Sequence, residues 1–439
     1  MNRLLAQCIV GSLGVAGSCE EHLERLNRFG QRDWQKVLPW LDDSGLALYL
    51  LERTHPATSR RVLPAEVRTR LEGNLANNQR RLAAMKSEFA SLNRNFEAAG
   101  VEYAVLKGFA LVPDYCPDAA LRCQYDYDYL VRPGSADLAA RALRLAGYRQ
   151  TIQSPGFEPP EVSLFTSQPL SPPSADADFY SADIPRGVEL HSHLWQSADQ
   201  HRVILDVPPG ALDRRRLANW EGLSFPVLAD EDALLFQSLH AFHHVLSHWC
   251  RLACFLEIAH LMMRRHSDAK FWERFASSVS SYRHLPQAIG LVFSMAALLF
   301  GAPLPSAFAP SPNQRFSPVA SLWARQFGKN WALTRFPGSK LSLFLHREFV
   351  DDSSAWRDVR HSRLFPFHRP ARVAEARDAT RTSRWAANLD QWRFAGSRAK
   401  FHLAGLMSYA LHVPRWNRVL RRTLHSIPNR AATLQGWSG

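Results

Sequence analysis

No apolar run in this sequence reaches the roughly 20 residues that a membrane-spanning helix needs. The strongly apolar stretch from Ala288 to Phe300 stops short, so no membrane span is expected. Cysteine is sparse: six residues (Cys8, Cys19, Cys116, Cys123, Cys250, Cys254) form no C-x-x-C pair and no zinc-ribbon spacing. That pattern fits reduced thiols in a cytoplasmic protein better than a disulfide framework. The glycine signatures of P-loop and dinucleotide-binding folds, G-x-x-x-x-G-K-[ST] and G-x-G-x-x-G, are missing, and so is the G-x-S-x-G of serine hydrolases.

What is present is a chain of ordinary globular composition. Its 439 residues are 46% hydrophobic and 21% charged, enough to bury a sizeable core in two or three structural units. The 53 Lys+Arg against 40 Asp+Glu leave a formal charge of +13, a field that attracts phosphate-rich partners such as nucleotides or RNA. Met1-Asn2-Arg3, the apolar Leu4 to Val15 and the small Ala16-Gly17-Ser18 outline a signal peptide loosely. The preferred reading is a first helix packed on the core.

The first hundred residues read as helical. Asp33 can cap a helix through Trp34, Val37 and Leu38, and Leu46 to Leu51 form a second apolar cluster. After Pro64, Val67, Leu71, Leu75, Leu82, Met85, Phe89, Leu92 and Phe96 recur at intervals of three, four and seven. They predict one long amphipathic helix stopping near Gly100. The period then changes: a β-type run over Val101 to Leu106, a Lys107-Gly108 turn, a brief helix over Phe109 to Val112, and a strand from Tyr125 to Val131. A helix from about Ala136 to Ala146 and a strand from Tyr148 to Ile152 complete a small α/β unit. Residues 153–187, rich in Pro, Ser and Asp, read as a long loop with one strand at Val162 to Phe165. Val188 to Leu194 alternates apolar with polar, predicting a strand with Glu189, His191 and His193 on one face. From Glu231 the pattern is helical, and the last hundred residues interleave Trp and Arg.

Alternate side chains of a strand share a face, so Asp126 and Asp128 project together, about 6 to 7 Å apart at the backbone, with Tyr127 and Tyr129 opposite. Two carboxylates on one face repel unless a cation sits between them, and Mg²⁺ (or Mn²⁺) takes oxygen ligands while keeping water and phosphate oxygens in its shell. A lone D-x-D is commonly a solvated strand edge. Here it has company. Lys107-Gly108 sits at a strand-to-helix turn where backbone N–H groups and a lysine can meet a triphosphate. Arg122 is placed for a phosphate contact, and Glu189 supplies a third carboxylate from a later strand.

These residues resemble the uncharacterised nucleotidyltransferases, a branch of the polymerase-beta-like nucleotidyltransferase superfamily. The family pattern is similar to Leu106-Lys107-Gly108, Arg122, Asp126-Tyr127-Asp128-Tyr129-Leu130-Val131 and Gly147-Tyr148. Further similarity lies in Glu189-Leu190-His191, the His-rich stretch from His240 to Leu261, and Gly301-Ala302-Pro303-Leu304-Pro305, so that roughly residues 30 to 310 are covered. The sequence lacks the Gly-Ser pair that opens the nucleotide loop in the wider superfamily. It carries Glu257 where the family has Asp, and His-Ser-His where it has His-Trp.

The resemblance implies an α+β fold, with a small polymerase-beta-like nucleotidyltransferase α/β unit embedded between helical N-terminal and C-terminal regions. The expected organisation is a helical region at 1–99, the α/β domain at 100–230 including the 153–187 loop, a helical domain at 231–330, and a basic, Trp/Arg-rich region at 331–439. It further implies a metal-dependent enzyme that moves a nucleoside monophosphate (NMP) from an NTP to an unidentified hydroxyl-bearing acceptor (small molecule, protein or RNA), releasing pyrophosphate. Asp126, Asp128 and Glu189 would be catalytic and hold the metal, Lys107, Gly108 and Arg122 would bind the nucleotide, and His191 would border the metal site.

Other constellations compete. His191 and His193 offer an H-x-H transition-metal pair. His240 and His244, four apart on a helix with His243 and His248 nearby, could also bind zinc but lack the Glu of H-E-x-x-H; the preferred reading is a helix packed on the α/β unit, with Cys250 and Cys254 as core residues of that helix. A different class of function, a catalytically degenerate scaffold binding nucleotide or RNA, follows from the net charge and the Arg/Trp-rich end.

Overall fold

Five helices precede the first strand: α1 (Arg3–Ser12), α2 (Glu20–Leu26), α3 (Gln31–Asp43), α4 (Ala47–Arg53) and α5 (Ala65–Ala98). The computed structural model describes residues 1–17, 19–54, 62–151, 162–167, 179–195, 202–247, 251–308, 317–334, 340–366 and 381–425. The apolar N-terminal stretch is α1, which buries Leu5, Ala6, Cys8, Ile9 and Val10 in the core. Ser18, the last residue of the signal-like outline, lies outside the described residues. Asp33 is not the cap of α3. Gly30 holds that position, and Asp33 sits in the first turn, where it accepts a hydrogen bond from Asn2 Nδ2 (3.0 Å).

The 34 residues of α5 begin directly after Pro64, whose fixed φ suits a helix entrance. The helix ends where Gly100 turns to φ +67° and the Val101 amide closes back on the Phe96 carbonyl (2.9 Å), a terminus that favours glycine because it is left-handed. Its apolar face then covers the sheet. Phe89 packs against Phe109, Tyr127, Tyr129 and Phe225 with ring centroids 4.8–6.4 Å apart.

Seven strands form one mixed sheet in the order β3-β4-β5-β2-β1-β7-β6. They are β1 (Tyr103–Val105), β2 (Asp126–Val131), β3 (Arg149–Gln150), β4 (Val162–Thr166), β5 (Gly187–His191), β6 (Arg216–Trp220) and β7 (Leu223–Val227). Pairing of β2 with β5 and of β1 with β7 is parallel; the other four pairings are antiparallel. Helix α6 (Ala136–Leu145) follows β2, as the periodicity predicts.

Three expectations change. The strand predicted over Val188 to Leu194 stops at His191 and the chain bends over Ser192 to Leu194, so His193 lies beyond the strand. The strand predicted from Tyr148 to Ile152 is confined to Arg149–Gln150, with Ile152 outside the described residues. The hairpin β6–β7, unforeseen in the sequence, turns on Glu221 and Gly222, both at positive φ, the backbone that a two-residue hairpin loop demands. Of the predicted 153–187 loop, 162–166 form β4, whereas 153–161 and 168–178 lie outside the described residues.

The two faces of β2 have different fates. Tyr127, Tyr129 and Val131 sink into a core with α5 and α6, whereas Leu130 joins the core built by the helices on the other side. Since Tyr127 and Tyr129 end on Glu88 and Asn93 of α5, Asp126 and Asp128 are turned toward the opposite layer. That layer holds α7 (Asp230–Ser247), α8 (Ala253–Arg264), α9 (Ala269–Val279) and α10 (Leu285–Phe300). Cys254 therefore lies on α8, not on α7 with the histidines; Cys250 and His248 fall outside the described residues.

Beyond these come α11 (Pro318–Trp323), α12 (Lys329–Ala332), α13 (Leu343–His346), α14 (Ser353–Leu364) and the 45-residue α15 (Arg381–His425). The Trp residues of α15 differ in fate: Trp416 is buried against Phe327 and Phe344, while Trp392 is exposed. No helix among the described residues is long and apolar enough to cross a membrane.

Candidate active site

The parallel register of β2 and β5 sets Asp126 beside Gly187, Asp128 beside Glu189 and Leu130 beside His191. Parity along each strand then puts the side chains of Asp126, Asp128, Glu189 and His191 on one face. Lys107 reaches this face from the turn after β1. Its Nζ lies 2.6 Å from Asp128 Oδ1, and the turn is held by Gln237 of α7, which donates to the Leu106 carbonyl (2.8 Å). His191 Nε2 lies 3.2 Å from Asp128 Oδ1 and 3.4 Å from Glu189 Oε2, bridging the two carboxylates.

Crowding of like charge in a buried place shifts every group here. Burial and the neighbouring Asp128 raise Asp126. Asp128 goes the other way: burial alone would raise it, but the Lys107 ammonium and His191 hold it well below the usual carboxylate range. Burial, with Asp128 and Asp126 adding to it, pushes Glu189 up to about 7 against the pull of His191. His191, which burial would lower, is raised to about 9 by its hydrogen bonds to both carboxylates.

One atom stands out. Asp128 Oδ2 is buried and has no hydrogen-bond partner among the described residues, an expensive state for a carboxylate oxygen. The donor atoms of Asp128, Glu189 and His191 lie within 4.8 Å of one another; Asp126 borders the same cleft outside that group. Carboxylate oxygen donors, one of them unpartnered among the described residues, fit a hard divalent cation.

The cleft over this face has a volume of about 300 Å³ and is open to solvent. Lys107, Arg122, Asp126, Glu189 and His191 line it, and His193, although off the strand, lines it too. Gly108 does not: it is buried at φ +65°, and a Cβ there would come within 2.3 Å of the Gln124 amide. That amide donates to the Asp126 carbonyl (2.8 Å), so the glycine lets the turn pack against the start of β2. Arg122 is anchored from behind, its Nε 3.0 Å from Glu257 Oε1 in a buried pair that Tyr49 OH also joins at 3.1 Å.

The other wall is one face of α7. Phe236, Leu239, His240, His243 and His244 line the cleft at the spacing of one helical stripe. Burial pulls His240 and His244 well below the usual imidazole range and His243 down to about 4, so all three are neutral at pH 7. The Nε2 atoms of His240 and His244 are 3.1 Å apart, and His244 Nδ1 is buried without a hydrogen-bond partner among the described residues.

The sequence reading missed two lining residues. Arg251, just before α8, donates to the Cys123 carbonyl (2.5 Å) and lies over the Tyr125 ring. Trp195 is pinned by its indole N–H to the Val203 carbonyl (3.1 Å). Neither belongs to a local motif, so only the tertiary fold reveals them.

The family model described as "Uncharacterised nucleotidyltransferase" matches residues 30–301, more than half of the chain. No curated protein and no solved structure matches it.

Proposed function

This chain belongs to the uncharacterised nucleotidyltransferase family, and from that premise we propose that it is a divalent-cation-dependent enzyme transferring an NMP from an NTP to a hydroxyl-bearing acceptor. The supporting observation is the convergence of donor atoms from Asp128, Glu189 and His191, with the second Asp128 oxygen buried and unpartnered among the described residues. In this reading β1, β2 and β5 with α5 and α6 correspond to the polymerase-beta-like unit, and α7 roofs its cleft.

Asp126, Asp128 and Glu189 would hold Mg²⁺ or Mn²⁺, with His191 bordering them. When bound, the ion supplies positive charge for the phosphates and for the leaving pyrophosphate. The residues do the rest. Arg122, kept in place by Glu257, and Lys107 set positive charge along the cleft for the triphosphate, and Gly108 shapes the turn that carries Lys107. Glu189 accepts the proton of the acceptor hydroxyl as its oxygen bonds to the α-phosphorus. The bond from that phosphorus to the α–β bridging oxygen breaks, and pyrophosphate leaves with the electron pair. His191, bonded to both carboxylates, keeps Glu189 oriented. Fixing the reactants against one another provides the acceleration.

Labelled NTPs, Mg²⁺ and a cell extract test the proposal. The full chain is expected to label an acceptor and Asp128→Ala to abolish it; labelling that survives the substitution overturns the assignment. An RNA-binding scaffold would instead bind with steep salt dependence and ignore Asp126→Asn, whereas NTP affinity in an enzyme gains from Mg²⁺ and loses that gain in the variant.

A further inference from the structure

A second group of ligating atoms lies where α7 meets α8, at the cleft wall. His240 and His244 are one turn apart on α7, so their rings leave the helix on the same side. Cys254, in the first turn of α8, meets them from the neighbouring helix, and the three ligating atoms lie within 4.8 Å of one another. Two imidazole nitrogens and a sulfur are a poor set for magnesium and a good one for a zinc-class ion. The spacing agrees. A tetrahedral ion with Zn–N bonds of about 2.0–2.1 Å holds two nitrogens roughly 3.3 Å apart, and the Nε2 atoms here are 3.1 Å apart.

We propose that His240, His244 and Cys254 bind one zinc-class divalent cation, with its fourth coordination position open to the cleft. Three protein ligands leave a place for water or a substrate atom, and both imidazoles line the cleft. On binding, the Cys254 S–H bond breaks, its proton passes to solvent and the sulfur lone pair forms the bond to the metal; no electron is exchanged. The site is chemically separate from the Asp128, Glu189 and His191 group, where oxygen donors predominate. It stands whether or not the chain transfers nucleotides.

The rival account of the same geometry is a single N–H···N hydrogen bond between the two rings, in which Cys254 has no part. The full chain, incubated with Zn²⁺ in excess Mg²⁺ and freed of unbound metal, is assayed by elemental mass spectrometry, and a Co²⁺-loaded sample by absorption spectroscopy. One zinc per chain is expected in wild type and in Asp128→Asn. Cys254→Ala and His244→Ala are expected to retain less than a tenth of it with unchanged circular dichroism. The cobalt form is expected to show a thiolate-to-metal band, and bound metal to protect Cys254 from alkylation, both on wild type even where a variant fails to fold. A chain that takes up no zinc, zinc retained in full by Cys254→Ala, or a cobalt form with no thiolate band and an unprotected Cys254 overturns the proposal.

Discussion

Glu189 stands directly across the β2–β5 pairing from Asp128, and His191 touches both carboxylates. This makes Glu189 the group most exposed to test. Glu189→Gln keeps the shape and removes the proton acceptor, so kcat for pyrophosphate release is expected to fall by about a hundredfold or more, with little change in KM for NTP. Undiminished kcat would remove Glu189 from the mechanism.

Lys107 balances a carboxylate that is almost wholly buried. Lys107→Met removes one of the two cations on that carboxylate and leaves His191 alone there, at a cost of up to about 3–5 kcal/mol, the range for breaking a buried pair. Thermal unfolding is expected to show a large drop without divalent ions and a larger recovery on adding Mg²⁺ than wild type shows. Equal Mg²⁺ responses would argue against a cation at Asp128.

Gly108→Ala meets two penalties, a positive φ and a contact with the Gln124 amide. Together about 1–3 kcal/mol of destabilisation is expected by urea titration. Adding Gln124→Ala removes the contact but not the backbone strain, so recovery is expected to be partial. Full recovery would show that the φ preference is immaterial.

Glu257 and Arg122 form a buried pair. Glu257→Ala is expected to destabilise the fold by about 3–5 kcal/mol and to raise KM for NTP by loosening Arg122, whereas Glu257→Asp retains the charge and is milder. If Glu257→Ala binds NTP like wild type, Arg122 does not need this anchor.

Lys340 gives a pH signature remote from the cleft. Burial, with the Arg363 charge adding to it, pulls its ammonium from 10.5 down to about 8. Between those values the unfolded chain binds more protons than the folded one, so stability rises with pH across that window. Relative to Lys340→Met, wild type is expected to gain melting temperature from pH 8 to pH 10.5. A constant difference would show that the amine titrates normally.

Local periodicity was the legible part. The 3.6-residue pattern after Pro64 is α5, the two-residue alternation of Asp126 and Asp128 is β2, and Glu189-Leu190-His191 ends β5. The hairpin β6–β7 escaped, though Glu221-Gly222 between two short runs carries a turn signal. The strand over Val188 to Leu194 was read too long because alternation continues past the point where pairing stops. The sequence shows His240 and His244 as a helical pair, but the break that puts Cys254 on the next helix carries no local signal.

The sequence by itself determined which side chains share a face, because strand and helix periods depend only on neighbouring residues. It thereby singled out the carboxylates, the lysine turn and the family. Tertiary structure alone decided that Asp128 faces Glu189, that Glu257 holds Arg122, that Arg251 and Trp195 line the cleft, and that Cys254 meets two histidines. Those meetings join residues on different elements of the chain. They depend on how whole layers bury their apolar faces, and no local pattern encodes that.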